Sequence, residues 1–155
     1  MNYLLFFLLI SVAILSQGCI EVCECPDLLD RLFWPAKNET LHTEGAGCVR
    51  NITCKTSYAS TIVAFNFTDS EIPRPVDSNY AAGAISLNPE VQTGPNINIF
   101  QFFGMVCENN EWYITKYPHG VTFKTSTEEE LVIGANGELD GKKSKINLFT
   151  CEPPS

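Results

Sequence analysis

Apolar residues are distributed along this chain in three different ways. Tyr3 to Leu15 (YLLFFLLISVAIL) is an unbroken apolar run of thirteen residues. Residues 19–45 mix short apolar clusters with cysteines and prolines: Cys19, Cys23 and Cys25 crowd together, followed by Pro26, Pro35 and a Gly45-Ala46-Gly47 break. From Cys48 onward apolar and polar residues alternate, which is the period of a strand with one face in a core.

Each regime predicts its own elements. Within Asp27 to Trp34 the spacing of Leu28, Leu29, Leu32 and Phe33 predicts one or two helical turns with an apolar face. In Cys48 to Thr56, alternation places Cys48, Ile52 and Cys54 on one face, with Arg50 out of character among them, and Val49, Asn51, Thr53 and Lys55 on the other. Thr61, Val63, Phe65 and Phe67 alternate next, with Asn66 and Thr68 opposite. Between Ile72 and Pro95 lie four prolines and two glycines, which predicts a long irregular connection with one short strand near Ala84 to Leu87. Ile97 to Cys107 (INIFQFFGMVC) is apolar on both faces and predicts a central strand. Asn109-Asn110 predicts a two-residue turn into Trp112 to Tyr117, because Asn tolerates positive φ. Tyr117-Pro118-His119-Gly120 reads as a turn, Val121 and Phe123 face inward, and Leu131 and Ile133 follow them. Asn136-Gly137 and Asp140-Gly141 are further turn signals, and Ile146 to Cys151 closes the chain.

Seven or eight short strands at this spacing predict an all-β fold, a small disulfide-stapled antiparallel β-sandwich following a signal peptide. The corresponding divisions are a signal peptide at 1–18, a Cys-rich leader at 19–47 and a β domain at 48–155, with one globular domain beginning at about residue 23. An immunoglobulin domain is the natural comparison and fits poorly. Cys54 and Cys107 have a suitable separation, but Trp34 precedes the pair and Trp112 follows it, so no core Trp lies between them.

The initial apolar run specifies the compartment. At ~1.5 Å per residue a helix of this length reaches roughly 20 Å, short of the ~30 Å hydrocarbon core, which suits a signal-peptide h-region rather than a membrane span. Ser16 and Gly18 stand at the two positions read by a signal peptidase, so cleavage is expected after Gly18. A bacterial lipoprotein would also place Cys19 there, but Ser16 stands where that signal carries Leu. The C-terminus, Cys151-Glu152-Pro153-Pro154-Ser155, carries no apolar tail, so no glycolipid or other membrane anchor is expected. Seven cysteines in 155 residues, with only two histidines and no tight pair of CxxC motifs, point to disulfides in an oxidising compartment rather than zinc. Secretion to the extracellular space is the expectation. With 10 basic against 18 acidic residues, net −8, no nucleic acid is expected as a partner.

Cys23, Cys25, Cys48, Cys54, Cys107 and Cys151 are the disulfide candidates and allow fifteen connectivities. Cys107 and Cys151 end strands beside apolar same-face neighbours, Met105 and Phe149, and are candidates to bridge one another. A loop of about 45 residues closed in this way contributes roughly 4 kcal/mol in the chain-entropy model. Cys19 is then left unpaired or joins two chains. Three sequons mark Asn38, Asn51 and Asn66 for N-glycosylation, and the last two fall opposite the apolar faces of their strands.

No catalytic residue, metal site or cofactor is expected. His42 and His119 lie in a polar loop and a turn, no serine sits in a GxSxG elbow, and Glu128-Glu129-Glu130 would point to alternate sides of a strand. Ile72-Pro73-Arg74-Pro75 resembles a rigid inhibitor loop, although Pro75 directly after Arg74 obstructs cleavage there.

The run Phe103-Gly104 … Cys107-Glu108-Asn109 … Trp112-Tyr113-Ile114-Thr115-Lys116-Tyr117-Pro118-His119-Gly120 resembles the signature of a nematode-expanded family of secreted cysteine-rich domains of unknown function. Gly47-Cys48 … Thr53-Cys54 and the terminal Cys151 resemble it as well, so the similarity covers about Cys23 to Cys151. It implies an extracellular protein with a disulfide framework, and no activity. It also implies that Trp112, Tyr117, Pro118 and Gly120 determine the fold. The expected role is a non-enzymatic extracellular module binding a protein or a glycan, with a small protease inhibitor or hydrolase as the alternative.

Overall fold

The computed structural model describes residues 22–57, 61–86 and 93–154, so residues 1–18, where a signal peptide is expected, and Cys19 lie outside the described residues. The described part is nearly all β, as the alternation predicts. Its twelve strands, numbered in chain order, form three sheets. The largest orders six strands as β1 (Leu32–Trp34), β12 (Leu148–Thr150), β4 (Ile62–Asn66), β5 (Ser78–Ile85), β9 (Val121–Thr125) and β10 (Glu130–Ile133). A second runs β11 (Ser144–Lys145), β8 (Glu111–Ile114), β7 (Val106–Glu108), and the third β2 (Leu41–Glu44), β3 (Arg50–Ser57), β6 (Thr93–Asn98). Neighbouring strands are antiparallel, except that β1 runs parallel to β12.

One hydrophobic cluster joins the inner faces of all three sheets. Val63 and Phe65 come from β4, Phe123 from β9, Trp112 and Ile114 from β8, and Ile52 and Cys54 from β3. Four aromatic rings interlock edge-on at its centre: Phe65 meets Phe67 and Tyr117, and Phe67 meets Phe123, with centroids 5.9 to 6.3 Å apart. Such pairs add about 0.5–1.5 kcal/mol each beyond the area they bury.

Several local expectations are corrected. Asp27 to Trp34 is not one helical segment: a 3-10 turn, Leu28–Arg31, runs directly into β1. Asp27 accepts a hydrogen bond from the Leu29 amide and starts the turn, which buries Leu28 and Leu29. Phe33, read as part of the apolar face, is 75% exposed on β1. The short strand expected near Ala84 to Leu87 is longer and begins earlier: β5 is an eight-residue central strand, Ser78–Ile85, so the connection from Ile72 to Pro95 is less irregular than expected. Ile97 to Cys107 is not a central strand either. β6 ends at Asn98, whose side chain accepts hydrogen bonds from the amides of Phe100 and Gln101 and starts the helical turn α1 (Ile99–Phe102). That turn places Ile99 and Phe103 together in the core, and β7 begins only at Val106. Leu131 shares the Phe123 side of its sheet by register, yet stays partly exposed because β10 is an edge strand.

Turn chemistry follows the sequence closely. Asn109 and Asn110 both have positive φ, 52° and 63°, between β7 and β8. The Gly120 amide donates to the Tyr117 carbonyl at 2.9 Å, closing the turn after β8. Arg50, the misfit on β3, donates through Nη1 to the carbonyls of Gly47 and Val49, so its charge faces backbone oxygens beside Cys48.

Candidate functional site

Among the described residues, none packs over the middle of the outward face of the six-stranded sheet, where a shallow depression remains. Strand alternation sends Val63 and Phe65 into the core and leaves Ile62, Ala64 and Asn66 on the opposite side of β4. Register carries that face across the sheet: Leu148, Ala64, Gly83, Thr122 and Val132 form one row, and Asn66 and Ala81 belong to the next. A Cβ at Gly83 would lie 2.5 Å from the Ile62 Cγ2, so the isoleucine folds flat over the glycine. The small residues between β4 and β9 leave a shallow depression of about 270 Å³, floored by Ala64, Ala81 and Gly83 and rimmed by Asn79, Lys124 and Glu130. At the β1 edge of the same sheet, Phe33 and Trp34 are 75% and 49% exposed, and Leu148 on β12 is partly exposed beside them. Clustered exposed aromatic and apolar side chains on a small domain mark a surface for contact with another molecule.

The structure pairs Cys23 with Cys48, Cys25 with Cys107, and Cys54 with Cys151. A Cys107–Cys151 bridge is therefore corrected. Cys151 does follow the end of β12 beside buried Phe149, but Cys107 is the middle residue of β7 rather than a strand end, the two strands belong to different sheets, and each cysteine meets a partner from another part of the chain. Cys54 and Cys151 are fully buried and tie β3 to the residue after β12. Cys25–Cys107 carries the N-terminal segment to β7, and Trp112 Nε1 donates to the Pro26 carbonyl at 2.8 Å beside it. The sulfurs of Cys23, Cys48 and Cys107 lie within 4.8 Å of one another, so two bridges sit side by side. All three sulfurs are oxidised in bridges, and no thiolate ligand is left among them for a metal.

The other singled-out residues are dispersed. His42 lies on exposed β2 with Nδ1 3.1 Å from the Thr40 carbonyl, and His119 stacks near Phe102, with centroids 6.1 Å apart. Glu128 pairs with Lys124 at the exposed turn before β10. Arg74 places its guanidinium 4.5 Å from the centre of the Tyr80 ring, and no bridged cysteine lies within its loop.

Of the three sequon asparagines, Asn38 is exposed in the 3-10 turn Lys37–Glu39, and Asn66 is partly exposed at the end of β4. The Asn51 side chain is engaged at both ends, donating from Nδ2 to Thr43 Oγ1 at 3.1 Å and accepting from Asn98 Nδ2 at 2.9 Å. One Nδ2 hydrogen survives glycosylation, so the Thr43 bond is compatible with a glycan there.

Sequence reasoning missed two polar arrangements. The buried Tyr117 hydroxyl lies 2.6 Å from Ser144 Oγ and donates toward the Lys142 carbonyl at 3.1 Å, joining the β8 turn to β11. Burial pushes its ionisation well above that of an ordinary tyrosine. On the surface Glu111 accepts from Lys145 at 2.8 Å and lies 3.4 Å from Arg31. The Lys145 hydrogen bond holds its carboxyl below the usual glutamate value. Neither arrangement leaves a local trace, because each joins segments 25 or more residues apart.

Among the described residues no helix is long and apolar enough to cross a membrane. Neither the curated proteins nor the solved structures contain a match to this chain. The family described as TRA-1 regulated protein R03H10.4, a nematode-type family of unknown function, matches residues 21–151, and with nearly all of its length covered the chain belongs to that family.

Proposed function

We propose that this chain is a secreted, non-enzymatic extracellular module that binds another protein through the aromatic edge formed by Phe33, Trp34 and Leu148. The observation that carries the reading is the exposure of two large aromatic residues, consecutive on the edge strand β1, in a domain with a well-filled core. Trp and other aromatics at the centre of a contact contribute up to several kcal/mol when buried. A short edge strand held in place by its parallel pairing with β12 presents them rigidly, so little ordering entropy opposes binding. Three disulfides in a small domain support an extracellular location. The initial apolar run and the small residues at 16 and 18 support secretion with a mature chain beginning at Cys19. The catalytic alternative has no comparable support, since the two histidines lie on separate segments, His42 against the Thr40 carbonyl and His119 beside the Phe102 ring.

The test places a photo-crosslinking amino acid at Phe33 and, separately, at Val76, which is exposed on the loop before β5. Extracellular fluid from the secreting animal should give a discrete crosslinked species from position 33 that disappears with Trp34→Ser. Equal labelling from positions 33 and 76, or labelling unaffected by Trp34→Ser, would remove the β1 edge as the contact surface. N-terminal sequencing of the secreted material should read Cys19, and a chain still carrying residues 1–18 would overturn the secretory part.

A further inference from the structure

We infer that the depression on the outward sheet face is covered by the inner N-acetylglucosamine units of this chain's own glycan, attached at Asn66. The inference rests on Asn66-Phe67-Thr68 being used as a sequon, and it adds where the sugar goes.

Four observations converge on this occupant. Asn66 is on the outward face of β4, two residues beyond Ala64 and directly opposite Ala81 on β5. Its side chain does not cap the 3-10 turn Phe67–Asp69 that it precedes, although Asn is a favoured residue for capping. The carboxamide is not tied up in that cap, and Asn66 stands opposite Ala81, one of the residues that line the depression. The depression has the composition an N-acetylhexosamine needs. Alanine methyls and Ile62 offer an apolar floor for the C–H face of the ring, while Asn79, Lys124 and Glu130 rim it with groups able to bond hydroxyls and the acetamide. Lastly, a covalent tether acts as a high effective concentration, so contacts too weak to hold a free sugar suffice for an attached one.

The other two sequons lack this setting. Asn51 is held between Thr43 and Asn98, and Asn38 sits on an exposed turn away from the sheet face. The glycan would run from Asn66 toward β9 and β10, away from β1, leaving Phe33 and Trp34 free.

The experiment uses the full chain secreted from eukaryotic cells with alanine methyls isotopically labelled. Glycopeptide mass first establishes whether Asn66 is occupied. With occupancy, nuclear Overhauser cross-peaks are expected between sugar protons and the methyls of Ala64 and Ala81. These should persist when the glycan is trimmed to one N-acetylglucosamine and vanish on complete removal or in Asn66→Gln. Ala81→Glu, which fills the depression from an exposed position, should leave occupancy unchanged and abolish the Ala64 cross-peaks. An occupied Asn66 without cross-peaks to either methyl would overturn the inference while leaving glycosylation intact. An unoccupied Asn66 would overturn both. Sedimentation showing a dimer with and without the glycan, its contact protecting Ala64 and Ala81, would assign the face to a second copy instead.

Discussion

Tyr117 and Gly120 show how much single positions carry. The Tyr117 hydroxyl is buried against Ser144 and a carbonyl, so the folded state resists its ionisation, whereas the unfolded chain ionises near pH ~10. A group whose folded pKa is raised contributes its stability below the unfolded value and loses it as pH climbs toward the folded one. The native protein should therefore lose stability above pH ~10 in urea unfolding. Tyr117→Phe should be less stable at pH 7 by about 1–3 kcal/mol, since Ser144 is left with one partner fewer. It should also show a shallower alkaline decline; parallel pH profiles for the two proteins would rule out Tyr117 as its source. Gly120 has φ 82°, and a Cβ there would stand 2.3 Å from the Ile133 carbonyl. Gly120→Ala combines an unfavourable backbone region, about 1–3 kcal/mol, with a clash against backbone that cannot swing aside. Poor secretion and a melting temperature several degrees lower are expected; an unchanged melting temperature would show that β10 can shift.

At the scale of elements, Ile97 to Cys107 is the instructive case. Its residues are apolar enough for a buried strand, and a period of two cannot be told from a helical turn when nearly every position is apolar. Asn98 decides between them through its two hydrogen bonds to the amides of Phe100 and Gln101. Asn98→Ala should cost about 1 kcal/mol as a lost cap, and somewhat more because Asn51 loses a donor. Denaturant titration against wild type measures this, and a change within error would mean that α1 is held by Ile99 and Phe103 alone. β5 was hidden for the opposite reason. Ala81, Ala82, Gly83 and Ala84 have weak strand character, and the strand exists because β4 and β9 flank it and Ile62 needs the space above Gly83.

For the molecule as a whole, the three bridges differ in reach and in burial. Cys23–Cys48 closes a separation of 25 residues and is partly exposed, whereas Cys54–Cys151 closes 97 and is fully buried. The chain-entropy model gives about 3.5 and about 4.7 kcal/mol respectively. The double variant Cys54→Ala with Cys151→Ala should lose more stability and secrete less than Cys23→Ala with Cys48→Ala. Under mild reductant, timed alkylation should trap Cys23 and Cys48 first and Cys54 and Cys151 last. The reverse order would mean that β3 and the C-terminal segment separate more readily than the N-terminal segment does.

The β class, the turns at Asn109-Asn110 and Tyr117 to Gly120, and the inward faces of β3, β4 and β9 were legible in the sequence. All of them depend on interactions within a few residues: side-chain alternation, tolerance of positive φ, and the fixed φ of proline. Family membership was legible too, through the Trp112 to Gly120 stretch. What only the tertiary structure decided involves segments remote in the chain. The partners of Cys107 and Cys151, the parallel seat of β1 on β12, and the strand made from Ala81 to Ala84 all belong here. So does the open face with its aromatic edge. Phe33 reads as part of an apolar face in isolation, and its exposure, with that of Trp34, follows from the placement of β1 at the outer edge of a sheet whose inner side is already filled by Leu28, Leu29 and Phe149. A chain contains more apolar residues than its core has room for, and topology determines which of them remain outside.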